Sequence, residues 1–244
     1  MKPEPAKLSL ENCRSYIDCH LKRLEGPVDR RLHLPHSPVI TISRQAGAGG
    51  VIVGEKLAEY LCQHDPRKAC PWTVFDKNLV TKVLEDHRIS QQIAEYMPED
   101  RQSEIRDAIE ELLGLHPSSW TLAEKTAQTI LHLAELGNTI IVGRGANVLI
   151  GHVPHAFHVR LVGSVEQRQK NLQEFNHLSA AEALAYLRRT DLGRKRYLKR
   201  HFDKDIDDPL LYHAVLNTDW LSATQVTTLM GEAVLRWIAV THPA

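Results

Sequence analysis

The chain is poor in cysteine: Cys13, Cys19, Cys62 and Cys70 are the only four in 244 residues, and no two of them form a C-x-x-C pair. That spacing excludes a zinc-ribbon or thioredoxin-type motif, and the expectation is of reduced thiols in a cytoplasmic protein. No run of eighteen apolar residues and no signal-type apolar stretch is found, so neither a membrane span nor a membrane partner is expected. Neither sign of charge is in excess, with 30 Lys and Arg against 30 Asp and Glu, which argues against a nucleic-acid coat. The fourteen histidines fall in no H-E-x-x-H motif and no Cys/His cluster, so the side chains are expected to hold no metal. Internal repeats and low-complexity segments are also lacking. What is present, 43% hydrophobic and 25% charged residues, is the composition of a globular domain long enough to bury one core.

Against that background one stretch stands out. Val39-Ile40-Thr41-Ile42 is apolar and β-branched, and Ser43-Arg44-Gln45-Ala46-Gly47-Ala48-Gly49-Gly50 follows it. The next segment has Val53, Leu57 and Leu61 on one helical face. A glycine-rich turn between strand and helix aims backbone N–H groups inward, and the helix dipole adds to the attraction for an anion. On the template G-x-x-x-x-G-K-[ST], Arg44 stands at the first glycine, Gly49 matches, Gly50 replaces the lysine and Val51 replaces the magnesium-binding hydroxyl. Ala46, Gly47, Ala48, Gly49 and Gly50 are therefore candidate phosphate ligands through their backbone. The plain alternative is a tight connection and nothing more.

Residues 1–37 carry four prolines and a short helical pattern at Tyr16, Ile17, Leu21 and Leu24, and read as a leader with a peripheral helix ahead of a domain over 38–244. Strands are expected at 38–43, 73–75, 139–142, 155–162 and 214–217. A helical insertion is expected over about 77–136, including an acidic stretch at 85–111 with nine acidic and three basic residues. Its last helix, 118–136, has Leu122, Thr126, Ile130 and Leu133 on one face and Gly137-Asn138 as its stop. Ser164 and Ser179 each open a capping box, and Ser222 with Gln225 opens a final helix striped by Val226, Leu229, Ala233, Trp237 and Ile238. Strands alternating with helices, several of them apolar throughout, indicate an α/β fold: a three-layer open parallel sheet of about five strands with helices on both faces. Ligands in such sheets bind at the carboxyl ends of the strands, where Ser43-Arg44, Asp76-Lys77 and Arg144 gather.

Residues 188–204 hold eight basic and two acidic side chains in a chain that is neutral overall. A solvated helix face explains such a run, and so does a lid, over about 186–205, whose arginines grip phosphate oxygens. Nucleic acid is the weaker reading, since only Tyr197 and Phe202 offer stacking platforms.

The motifs taken in order resemble the cytidylate kinase-like family, relatives of cytidylate kinase among the P-loop nucleoside monophosphate kinases. They are Ile40 to Gln45 with Gly47 to Gly50, then Phe75-Asp76-Lys77, then Ile141 to Asn147, then Asp191 with Arg194 and Tyr197, and finally Asp208 to His213 before Leu216-Asn217-Thr218. The resemblance spans about residues 38–240 and implies transfer of the γ-phosphoryl group of ATP, with Mg2+ bound through the nucleotide, to CMP or dCMP. It implies a donor cradle over 46–50, an extra cation at Arg44, and an acceptor-side carboxylate at Asp76. It further implies an acceptor-phosphate arginine at Arg144, and Asp191 and Arg194 in the lid. Arg188 and Arg189 lie near the place of a further lid arginine. The nucleotide partners follow from the same resemblance, and no oligomeric state does.

Simpler roles stand beside these. Arg144 can close a strand end on carbonyls, Asp76 can be the N-cap of the next helix, and Asp191 can pair with Arg188 or Arg194. Tyr212 and His213 read as satisfied core residues. Because the lysine and the Ser/Thr are replaced by Gly50 and Val51, a nucleotide-binding sensor or interaction module without turnover is the alternative function.

Overall fold

In a computed structural model of the protein, residues 5–24, 37–67, 70–85, 121–143 and 145–241 are described. Helix α1 is Pro5–Leu24, strand β1 is Val39–Arg44, helix α2 is Gly50–His64, strand β2 is Thr73–Phe75 and helix α3 is Lys77–Glu85. Helix α4 is Thr121–Leu136, β3 is Thr139–Val142, the short α5 is Ala146–Leu149 and β4 is Ala156–Val162. Helix α6 is Val165–Asn176, α7 is Ala180–Phe202, β5 is Ala214–Asn217 after a 3-10 turn at Pro209–Leu211, and α8 is Ala223–Thr241. The acidic stretch after Glu85 and the residue Arg144 lie outside the described residues.

The five strands form one parallel sheet in the order β2-β3-β1-β4-β5, which bears out the expected α/β architecture. Register places Ile40 between Ile140 and Phe157, and Ser43 beside Arg160. Strand alternation then separates two faces. Ile40, Ile42, Val142, Phe157, Val159 and Leu161 pack with α2 and α8, while Val39, Phe75, Ile141 and Ala156 pack with α1, α3, α4 and α5. The second face is not purely apolar. Thr41 and His158 are buried side by side at 2.8 Å (Oγ1 to Nδ1), and one step along the strands buried Arg160 donates to the Ser43 hydroxyl at 3.1 Å.

Local signals placed the helix ends. Ser179 and Glu182 exchange both bonds of a capping box, and Gly137 and Asn138 turn left-handed to stop α4. The box expected at Ser164 is only half formed: its hydroxyl accepts from the Gln167 amide, but its own amide donates to Asp219 and the Gln167 side chain turns to Asn171. The stripe expected on α8 needs correction. Val226, Met230, Val234 and Ile238 are the buried residues, at strict i, i+4 spacing, while Leu229 is 49% exposed and Ala233 faces water. The apolar residues of this helix surround most of it, so periodicity alone did not select the face.

The expectation of reduced thiols is also corrected. Cys19 of α1 and Cys70 before β2 form a disulfide with their Cα atoms 5.8 Å apart, and Cys13 and Cys62 keep their thiols. Local spacing could not reveal a pair 51 residues apart, which meets only because α1 packs Cys13, Tyr16 and Ile17 into the core. The Tyr16 hydroxyl donates to the Gly137 carbonyl at 2.6 Å. Among the described residues, no helix is long and apolar enough to cross a membrane.

Candidate functional site

The turn between β1 and α2 lies at the carboxyl edge of the central strand. Gly47 and Gly49 have φ of 74° and 73°, the left-handed region that glycine enters without strain. Gly47 is further constrained by space, because a Cβ there would run into the Arg168 carbonyl, whereas nothing lies within 4 Å of a Cβ at Gly49.

Helices α6 and α7 hold this turn from outside. Buried Arg168 donates from Nε to the Gly163 carbonyl at 2.9 Å, and from one terminal nitrogen to the Ala46 carbonyl at 3.1 Å and to Asp191 Oδ2 at 2.6 Å. Asn171 Nδ2 donates to the Gly47 carbonyl at 2.8 Å, and the Gly163 amide donates to Gln45 Oε1 at 2.9 Å. From α7, Arg194 donates to the Arg44 carbonyl at 2.9 Å, and Asp191 Oδ1 accepts from the Ala46 amide at 2.7 Å. A protein carboxylate thus already answers one loop amide, so the loop has the electrostatics of an anion site. Asp191 and Arg194 are 3.8 Å apart, and Arg188 and Arg189 are exposed on the same helix. Burial pushes the Arg194 guanidinium below its usual value, with Asp191 pulling it back up.

Arg44 runs over the position of the missing lysine. A Cβ at Gly50 would stand 2.9 Å from Arg44 Cγ and 3.2 Å from Cδ, and one at Gly143 would collide with the Arg44 guanidinium. The stem therefore crosses Gly50, and the charge rests beside the end of β3. Val51 is 37% exposed and offers no hydroxyl. Among the described residues no group of three or more His, Cys, Asp or Glu could hold a metal ion.

Asp76 is on the other side of the sheet centre, at the end of β2, where its Oδ1 accepts from the Leu79 amide at 2.8 Å and caps α3. Glu55 of α2 faces the same region: burial, then Asp76 and Glu59, push its carboxyl up. Tyr212 donates to the Ile206 carbonyl at 2.9 Å, and His213 Nδ1 accepts from the His158 amide at 2.9 Å, so both are satisfied structural residues.

A cavity of about 250 Å3 opens between the ends of β1 and β4 and helix α7, with Arg44, Arg160, Arg194 and Lys195 in its walls. The sequence reading overlooked Arg160, Arg168 and Asp207. Arg160 carried a signal, a charge inside a strand whose other residues but His158 are apolar, while Arg168 did not, since its helix reads as solvated throughout.

No curated protein matches the chain. The crystal structure of an uncharacterized protein from Eubacterium ventriosum superposes with a TM-score of 0.63 at 18% identity, covering 81% of this chain and 98% of that one. A shikimate kinase from Bacteroides thetaiotaomicron, at 14% identity and a TM-score of 0.42, covers 83% of this chain and 96% of its own. The model of the cytidylate kinase-like family matches residues 39–220, from the first strand to the turn before α8, and the chain belongs to that family.

Proposed function

We propose that this protein transfers the γ-phosphoryl group of ATP to a nucleoside monophosphate, with CMP or dCMP as the acceptor. The observation that carries the reading is the course of Arg44, whose stem crosses Gly50 and whose guanidinium lies beside Gly143. A cation is thereby supplied at the loop from the first position of the motif instead of the seventh. Ala46 to Gly50 cradle the donor phosphates with their amides, and Arg44 and Arg194 stabilise the charge that develops on the transferred group. Arg144 and Asp76 hold the acceptor's phosphate and base on the β2 and β3 side, and Asp191 moves from the Ala46 amide to the acceptor as the lid engages. Mg2+ bound through the nucleotide would supply charge neutralisation, with no side chain of the described residues needed to hold it.

The test is a coupled assay for diphosphate formation with ATP, Mg2+ and a panel of monophosphates. CMP and dCMP are expected to give product, and Arg44→Met is expected to lower kcat by about 100-fold to 1,000-fold. No product from any monophosphate would overturn the proposal. The second reading, a nucleotide sensor without turnover, is favoured by Val51 and by the carboxylate already seated on the Ala46 amide. It requires saturable ATP or CMP binding with no transfer.

A further inference from the structure

Helix α8 meets water with the composition of an interior helix. Its nineteen residues hold only two charges, Glu232 and Arg236. Val226, Met230, Val234 and Ile238 bury the inner side, while on the outer side Leu229 is 49% exposed, Val240 is 81% exposed and Ala233 is exposed with them. A helix that is apolar all round is ordinarily enclosed, whereas one that borders solvent carries charges along its outer face. Leu229, Ala233, Arg236 and Val240 recur at steps of four, three and four residues, the spacing of a helix-to-helix seam. Ala233 lets a second backbone come close, and the stem of Arg236 covers apolar surface while its charge stays at the rim. Glu232 and Arg236 are one turn apart on this outer side, and neither side chain has a partner among the described residues.

The pattern is complementary to itself when a second α8 runs the opposite way. With a two-fold axis between Val234 and Leu235, Leu229 is level with the partner's Val240 and Ala233 with the partner's Arg236, so the seam closes on itself. Glu232 then stands within one residue, about 1.5 Å along the axis, of the partner's Arg236, and symmetry forms this ion pair twice. A parallel pair would set Glu232 against Glu232 and Arg236 against Arg236, like charge on like. We propose that the outer face of α8 is the interface of a two-fold dimer, and that its occupant is the antiparallel α8 of a second copy of this chain. The helix is about 28 Å long, so the interface is at the small end of specific ones and the dimer forms at roughly micromolar concentration. The proposal does not depend on the phosphoryl-transfer reading.

The experiment is sedimentation equilibrium of the full chain over about 1–200 μM. The unaltered protein is expected to pass from its monomer mass of 27.6 kDa to twice that mass as concentration rises. Leu229→Glu, which seats a charge in the seam, is expected to weaken association at least about tenfold. Glu232→Arg and Arg236→Glu, each alone, set like charges against each other twice in the dimer and are expected to weaken it by about tenfold or more. An equimolar mixture of these two variants is expected to associate again, because every cross-pair is then of opposite sign. Mixing cannot rescue a helix that is merely destabilised, so the rescue separates an interface from a structural role. All three positions are exposed, and circular dichroism with urea unfolding checks that each variant is folded. A mass of 27.6 kDa at every concentration, a dimer that none of the three substitutions weakens, or weakened variants that mixing does not rescue would overturn the interface.

Discussion

The stem of Arg44 lies against Gly50, with Cγ 2.9 Å from where a Cβ on residue 50 would be. Arginine at the first position of the motif and glycine at the seventh are therefore one arrangement, and neither is a lone substitution. Gly50→Lys is expected to destabilise the fold by about 1–3 kcal/mol through overpacking, and Arg44→Ala in the same chain is expected to recover most of it. Urea unfolding of the two single variants and the double variant measures the coupling, expected at about 1 kcal/mol or more. Additive effects would disprove the shared packing.

The two left-handed glycines of the turn should respond differently to the same change. Gly49→Ala meets open space and pays only for its positive φ, about 1 kcal/mol. Gly47→Ala adds a collision with the Arg168 carbonyl and is expected to cost at least about 2 kcal/mol. Denaturation midpoints of the pair decide this, and equal losses would mean that α6 yields freely.

Arg168 should be the greater anchor of its pair. Asp191→Asn keeps an acceptor for the Ala46 amide but turns its NH2 toward Arg168, losing that hydrogen bond and the charge, for about 1–2 kcal/mol. Arg168→Met removes three hydrogen bonds, one to the buried Ala46 carbonyl and two to the half-buried Gly163 carbonyl and Asp191 carboxylate, for about 2–4 kcal/mol. Comparison of the two unfolding free energies tests the ranking.

Acid should weaken the fold through His158. Burial, helped by the neighbouring His213, lowers its pKa from the usual 6.5 to about 4. Below about pH 6.5 the unfolded chain takes a proton that the native imidazole, seated on the Thr41 hydroxyl, refuses. Stability from this residue is thus full above that pH and falls as pH drops towards 4, by roughly 3 kcal/mol. Urea midpoints at pH 7, 5.5 and 4.5 should fall, and less steeply in His158→Phe; parallel slopes would assign the acid sensitivity to other groups.

Reduction of Cys19–Cys70 should loosen α1. The bridge closes a separation of 51 residues, for which restricting the unfolded chain is worth about 4 kcal/mol. Melting with and without a thiol reductant, beside Cys19→Ser, checks it. An unaffected melting temperature would mean that Tyr16, Ile17 and Cys13 hold the helix by packing alone.

Much of the site was legible because it is local. The glycine turn with its lost lysine is one contiguous stretch and the basic run around Asp191 and Arg194 is another, so each can be read from neighbouring residues alone. The partners of those residues were not legible. Ala46 and Asp191 are 145 residues apart and Arg160 and Asp207 are 47 apart, and no spacing rule joins them.

The sequence by itself determined the strands, most helix ends and the family, since hydrophobic period, capping residues and ordered motifs act over a few residues at a time. Tertiary structure alone decided that Asp191 rests on the loop amide, that Arg44 takes the room of an absent side chain, that Cys19 finds Cys70, and that Arg160 is buried beside a cavity. Each of these depends on how elements far apart in the chain are brought together by the sheet order and by the covering of its two faces.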